Sequence, residues 1–210
     1  YIYSLDPSGT PREIANHEFT YSTVGNRLSP LLYDLEGNGE LSLIAPGTTA
    51  DGQLCVRAFG SGQNPLWETV LEGMRADQGV QISAWNAGGF LPGPRAGVAI
   101  SVMSSDRAIE GTYLLEGDTG KILWYRDRYK DTGYGGRTVY RPFRPNGIPS
   151  AFDVNGDGIE EICIDMLSYM AFLNGEDGSV VEIYHTGNIR AENAMPAAWL
   201  YNSYCPVYRS

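Results

Sequence analysis

The feature that most constrains the fold is a short pattern that occurs four times along the 210-residue chain. Each copy has an apolar or aromatic strand-like run, a polar turn that ends in glycine, and a second short strand-like run. The turn glycines are Gly9, Gly62, Gly120 and Gly178, which follow one another at intervals of 53, 58 and 58 residues. Glycine supplies the positive φ angle that tight hairpin turns need. The pattern therefore predicts four β-hairpins at a nearly constant spacing.

A repeat of this length predicts an all-β fold, a β-propeller of about four repeated four-stranded blades. One blade cannot bury both faces of its sheet, so neighbouring blades must pack against it. The expected repeats are roughly residues 1–25, 26–75, 80–128 and 147–187, with residues 195–210 starting a further blade. Aromatic side chains fill the wedges between such sheets. We expect this role for Trp67, Trp85, Trp124 and Trp199.

Two arrangements of the blades fit the sequence. The two ends of the chain could complete one blade together and close a four-bladed ring, which would remove exposed strand edges. Alternatively, the chain is a segment of a larger propeller. Its first residue is Tyr1 and not methionine, and this favours the segment.

A nine-residue loop carries the strongest signal for a ligand. Residues 153–161, here called loop B, read DVNGDGIEE, with oxygen-bearing side chains at positions 1, 3, 5 and 9 and glycine at position 6. Calcium takes about six to eight oxygen ligands, so alternate residues of a short loop must point inward. The glycine lets the backbone turn, so that the carbonyl group of Ile159 can also face the ion. The alternative is an Asn-Gly or Asp-Gly hairpin turn without a metal.

Loop B lies between two apolar runs, residues 149–152 and 162–164, and so at a strand–strand connection. It is not an EF-hand, because position 12 is Ile164 and not glutamate. Its spacing resembles the calcium loops of FG-GAP and integrin-α-type β-propeller blades, which join two strands of a blade. The resemblance implies Ca²⁺ as the cofactor. The ligands that it implies are Asp153, Asn155, Asp157, Glu161 and the carbonyl group of Ile159.

A second copy of the loop occurs 119 residues earlier. Residues 34–42, here called loop A, place Asp34, Glu36, Asn38 and Ser42 at the same four positions. Serine replaces glutamate at position 9, so loop A is either a weak metal site or a plain turn. The third repeat lacks the loop, and the apolar run 96–103 is expected in its place. The turn and tryptophan of residues 116–124 also resemble quinoprotein-like propeller repeats.

Two connections outside the repeat could carry recognition. Residues 121–145 hold seven of the fifteen basic residues, with aromatic residues between them. Arginine grips carboxylates or sulfates, and aromatic faces stack on sugars or on other proteins. The alternative is a solvated loop whose arginines pair with local acids. Residues 86–94 form a second connection, rich in glycine and proline, which is a surface loop or simple punctuation. The candidate ligand-binding residues are Arg126, Arg128, Tyr134, Arg137, Tyr140, Arg141 and Arg144.

Charge and composition limit the partners and the location. The net charge of −10 argues against nucleic acid as a partner. No apolar run is long enough to span a membrane. The acidic balance suits a calcium-containing exterior, so the expected location is extracellular, on the cell surface or periplasmic. The spacing of Cys55, Cys163 and Cys205 contains no zinc-type pair. One disulfide is possible among them, and the sequence does not decide which two would form it.

The sequence predicts a binding module more strongly than an enzyme. It has no nucleophile elbow, zinc-protease motif or phosphate loop, and neither His17 nor His185 is expected to be catalytic. The leading interpretation is a secreted or surface calcium-stabilised propeller that binds proteins or glycans or self-assembles. One alternative is part of a propeller enzyme, either a polysaccharide lyase or hydrolase or a quinoprotein-type oxidoreductase. The other is a structural subunit of an extracellular filament or surface layer.

Overall fold

The structure is a computed structural model that describes residues 2–5, 11–15, 30–61, 64–131, 139–143, 148–165 and 169–185. The expectations for His17, Trp199, Cys205 and the further blade at 195–210 concern residues outside these ranges. The same is true of Tyr134, Arg137 and Arg144.

Three four-stranded antiparallel sheets form the body of the described protein. An N-terminal hairpin pairs β1 (Ile2–Leu5) with β2 (Pro11–Ala15). Sheet 1 contains β3 (Leu31–Tyr33), β4 (Ser42–Thr48), β5 (Gln53–Phe59) and β6 (Pro65–Arg75). Sheet 2 contains β7 (Val80–Gly88), β8 (Gly97–Ser104), β9 (Glu110–Glu116) and β10 (Ile122–Arg126). A second hairpin pairs β11 (Arg128–Asp131) with β12 (Val139–Pro142). Sheet 3 contains β13 (Ser150–Phe152), β14 (Glu161–Asp165), β15 (Tyr169–Leu173) and β16 (Val180–His185).

Each sheet is a simple meander in which strands that follow one another in sequence are neighbours. The four predicted hairpins are confirmed as the pairs β1–β2, β5–β6, β9–β10 and β15–β16. The all-β class is also confirmed, since the described residues contain a single helical turn, the 3₁₀ segment Ala76–Gln78. None of the helices in these ranges is long and apolar enough to cross a membrane.

Sheet 2 lies between the other two sheets and is buried on both faces. Alternate residues of β8 point in opposite directions, so Val98 and Ile100 pack in a cluster with sheet 1 while Ala99 packs in a cluster with sheet 3. This explains the near-continuous apolar run in β8. The expectation that this run replaces the metal loop is wrong. The run is the second strand of sheet 2, and residues 89–96 (the 89–96 connection) take the place of the loop. Residues 86–88, expected in a loop, belong to β7.

The same tryptophan contact joins both pairs of neighbouring sheets. The indole Nε1 of Trp67 donates to the carbonyl oxygen of Gly117 over 2.7 Å, and that of Trp124 donates to Gly175 over 2.8 Å. A Cβ atom added at Gly120 would lie 2.5 Å from the Trp67 ring, and one added at Gly178 would lie 2.8 Å from Trp124. Glycine is therefore required where each indole rests on the next turn. Packing of Trp67 and Trp124 between repeated units is confirmed.

The first strands of the three sheets lie side by side, since β7 contacts β3 on one side and β13 on the other. The connections from first to second strand consequently meet at one end of the molecule. These connections are residues 34–42, 89–96 and 153–161, and the contacts among them define the site described below.

The two described cysteines are buried and free. Burial raises the pKa of Cys55 to about 11 and that of Cys163 to about 12. Both thiols are therefore protonated at neutral pH and pack as small apolar side chains.

Candidate functional site

Loop B joins β13 to β14 and is organised around the carboxylate of Asp153. Asp153 Oδ1 accepts the backbone N–H groups of Gly156 and Asp157 at 2.7 and 3.1 Å, and Oδ2 accepts that of Gly158 at 3.0 Å. Gly156 and Gly158 have φ angles of +78° and +87°. Only glycine adopts such angles freely, and they wrap the backbone around the aspartate. The aspartate and the two glycines therefore fix the loop conformation together.

The other three oxygen-bearing side chains of loop B are linked to one another. The Asn155 amide nitrogen donates to Asp157 Oδ2 at 3.0 Å and to Glu161 Oε1 at 3.1 Å. Glu161 is only 3% exposed, and its Oε2 accepts the N–H of Val154 at 2.9 Å. The structure thus links three of the four predicted side chains, those of Asn155, Asp157 and Glu161, to one another. Asn155 holds two carboxylates close to each other, as a cation would.

The donor set suits calcium, although the side chains are arranged for internal hydrogen bonds. Asp153, Asp157 and Glu161 supply carboxylates, and amide rotation would turn the Asn155 oxygen toward them. In the described ranges, no group of three or more Asp, Glu, His or Cys side chains is already gathered as a metal cluster. Binding a cation would therefore require the carboxylates to exchange backbone N–H partners for the ion.

Loop A joins β3 to β4 and has the same internal framework. Asp34 Oδ1 accepts the N–H of Asn38 at 3.1 Å, and Oδ2 accepts that of Gly39 at 2.8 Å. Asn38 also bonds Glu36 Oε2 through its amide nitrogen at 2.8 Å. The backbone bond from Gly39, and then those from Asn38, Gly37 and Glu36, hold the pKa of Asp34 below its usual value against the opposing effect of burial. Ser42 is buried at position 9.

The 89–96 connection contacts both loops. The N–H of Gly89 donates to Glu160 Oε2 at 2.7 Å, and the N–H of Glu160 donates back to the Gly89 carbonyl at 3.0 Å. On the other side, a Cβ atom at Gly37 would lie 3.2 Å from the carbonyl oxygen of Pro94. Phe90 is fully buried in the cluster between sheets 2 and 3 and anchors the connection. Loop A, the connection and loop B therefore form one continuous surface.

The sequence predicts a surface loop or simple punctuation at residues 86–94, and it does not single out Glu160. Glu160 contacts Gly89, 71 residues away. No local pattern predicts that pair. The repeat offers one signal for this contact: the three connections between a first and a second strand stand at the same place in their repeats, so they are expected to lie near one another.

Of the basic segment 121–145, the structure describes residues 121–131 and 139–143. Arg126 Nη2 donates to the Asp177 carbonyl at 2.6 Å, so this side chain joins sheet 2 to the turn of sheet 3. Arg128 is exposed and lies 3.9 Å from Asp127. Tyr140 and Arg141 lie on β12, in the hairpin with β11. This hairpin explains why the connection between sheets 2 and 3 is long.

Comparisons with known proteins give no family for the chain. A scan against protein-family models found no match, and a search of the curated proteins found no match.

Proposed function

We propose that the chain is part of a calcium-stabilised β-propeller that works outside the cytosol as a binding or assembly module for proteins or glycans. The single observation that carries the calcium proposal is the arrangement in loop B. Asn155 bonds both Asp157 and the buried Glu161 there, around a backbone that Asp153 fixes. A plain hairpin turn needs the glycines but does not need a buried carboxylate at position 9.

The propeller part of the proposal is supported by the packing of successive sheets. Three meander sheets stack face to face with their first strands adjacent. The contact through Trp67 is repeated through Trp124. Repetition of one sheet-to-sheet contact is the expected consequence of a rotational arrangement of similar blades.

Calcium would be held by Asp153, Asn155, Asp157, Glu161 and the Ile159 carbonyl. An ion that binds the folded chain and not the unfolded one stabilises the fold in proportion to the logarithm of its concentration. Extracellular calcium modules bind at roughly 10⁻⁴ to 10⁻³ M. The role is therefore structural: the ion would keep the strand connection closed at the end of the molecule where the three connections meet.

The test is thermal unfolding of the chain in calcium and in chelator, with Asp157→Ala as the variant. Calcium at about one hundred times its dissociation constant contributes about 2.7 kcal/mol, which for a chain of this size raises Tm by roughly 5–10 °C. Asp157 is exposed, so we expect the variant to melt close to wild type in chelator but to lose the calcium-induced rise.

Asp118→Ala is the matched control, because Asp118 is an exposed acid in the β9–β10 turn and belongs to neither loop A nor loop B. It should keep the full calcium response. A wild-type Tm that calcium leaves unchanged at about one hundred times the expected dissociation constant, roughly 10–100 mM, would show that loop B is only a turn.

A further inference from the structure

We propose that the cleft between loop A and the 89–96 connection binds a basic, extended peptide segment of a protein partner, in which a lysine or arginine stands beside a large apolar side chain. This inference rests on the proposed binding function, for which it names a surface and a partner chemistry.

The cleft has a volume of about 490 Å³. Its loop A side is formed by Leu32, Tyr33, Asp34, Gly37 and Leu41, and the opposite side by Gly89 and residues 93–96. Two of its side chains are large, apolar and unusually exposed. Leu41 is 61% exposed and Leu32 is 47% exposed, although Leu32 lies on β3 and Leu41 directly precedes β4. Exposed leucines on the walls of a cleft provide the apolar contact area that an incoming side chain can bury.

Backbone contacts fix the position of the 89–96 connection. Gly37 of loop A approaches Pro94 closely at one end, and the paired hydrogen bonds between Gly89 and Glu160 of loop B fix the other end. The buried side chains of Phe90 and Leu91 anchor the segment between these contacts. A preformed cleft lowers the entropy cost of binding, so a short peptide segment can bind without reordering the walls.

Acidic side chains outnumber basic ones around the cleft. Asp34 lines it, and Glu160 Oε2 lies 2.7 Å from the backbone nitrogen of Gly89, another lining residue. The basic group on the cleft, Arg95, already lies 3.6 Å from Glu116 and donates to the Pro92 carbonyl. Charge complementarity therefore favours a cationic ligand.

A cation in loop A would engage Asp34, but a cation in loop B would leave the charge of Glu160 in place. Glu160 stands at position 8 of loop B, where the ligand set that the spacing predicts uses no side chain. It would keep its charge with loop B filled. Lysine and arginine have an apolar stem and a positively charged end. The stem can contact the leucines of the cleft while the charged end reaches its acids.

The test is fluorescence anisotropy of a labelled ten-residue peptide with Leu-Lys pairs separated by Ser-Gly, titrated with the full chain in calcium. Two probes of equal length replace each Lys by Glu or each Leu by Ser. We expect saturable binding of the Leu-Lys probe, at least about tenfold weaker binding of the other two, and a similar loss for Leu41→Ser. Glu160→Gln keeps an acceptor for Gly89 but removes the charge, and should weaken binding severalfold and reduce its salt dependence.

Leu66→Ser is the matched control, since Leu66 is 49% exposed on β6 and does not line the cleft. It should bind the probe as wild type does. The proposal is overturned if the Leu-Lys probe does not bind, if Leu66→Ser weakens it as much as Leu41→Ser, or if neutral oligosaccharides compete for the same site. Calcium-dependent melting of the same samples separates the two proposals. If the probe binds but calcium does not raise Tm, only the calcium proposal is rejected. If calcium raises Tm but the probe does not bind, only the cleft proposal is rejected.

Discussion

Loop A and loop B have the same backbone and differ in the side chains that would matter to a cation. Their glycines at position 4 have φ angles of +69° and +78°, and those at position 6 have +85° and +87°. In both loops the aspartate at position 1 accepts the N–H groups of positions 5 and 6, and the side chain at position 5 accepts that of position 7. The conformation therefore depends on one aspartate and two glycines, and it does not require position 9.

Positions 8 and 9 separate the two loops. Glu161 at position 9 reaches back to Val154 and Asn155, whereas loop A has the short Ser42 there. Glu160 at position 8 binds the backbone of Gly89, whereas Leu41 is left exposed in the cleft. The difference teaches that one loop framework can serve two purposes. Loop B has the carboxylates for a cation, and loop A presents an apolar side chain.

The largest expected effect comes from replacing the residue at position 9 of loop B, Glu161, by the serine that loop A has at that position. Glu161→Ser should abolish the calcium-induced rise in Tm, because it removes the carboxylate that closes the ligand set. It should also cost about 0.5–1.5 kcal/mol in chelator, since the hydrogen bond from the N–H of Val154 is lost. Calorimetric unfolding with and without calcium measures both losses.

Ser42→Ala is the corresponding change in loop A. Since Ser42 supplies no carboxylate, the calcium response of this variant should equal that of wild type. If Ser42→Ala abolished the response and Glu161→Ser did not, the assignment of the two loops would be reversed.

A smaller difference in stability is expected between the two loops when the glycine at position 4 is replaced. Gly37→Ala and Gly156→Ala both place a Cβ atom at positive φ, which costs about 1 kcal/mol or more. The Cβ at Gly37 would also lie 3.2 Å from the Pro94 carbonyl oxygen, whereas nothing lies within 4 Å at Gly156. We therefore expect Gly37→Ala to be more destabilising by about 1 kcal/mol in urea unfolding with chelator present.

Position 6 provides the control for that comparison. Gly39 and Gly158 have nearly equal φ angles and no atom within 4 Å of an added Cβ. Alanine at either position should cost the same free energy of unfolding. Unequal costs at position 6, or equal costs at position 4, would show that the close approach of loop A to Pro94 does not constrain the fold.

The sequence predicted the features of this molecule that local chemistry determines. Hairpins and loops follow from glycine, aspartate and alternating apolar residues within a few positions, and the structure has them where expected. Contacts between sheets were harder to predict from the sequence. The role of Arg126 is an example: it was selected as a ligand-binding residue because of its basic neighbours, yet it bonds the next sheet's turn. Thr69, 57 residues earlier, bonds Gly120 in the same way. Aligning the two repeats at this position would have indicated the structural role.

The smallest expected effect concerns the dependence of loop A on pH. The pKa of Asp34 is lowered, chiefly by the backbone bond from Gly39, so its contribution to stability is present above the unfolded-state pKa of about 3.9. That contribution is lost as the pH falls through the lower folded-state pKa. Asp34→Asn places an amide donor against a backbone donor, and should therefore be less stable than wild type at neutral pH, with a difference that disappears in acid. Urea unfolding over a pH series in chelator measures the difference. Leu41→Ser alters no titratable group, so its free energy of unfolding should differ from that of wild type by the same amount at every pH. If the difference for Asp34→Asn were also independent of pH, the charge of Asp34 would not be what stabilises loop A.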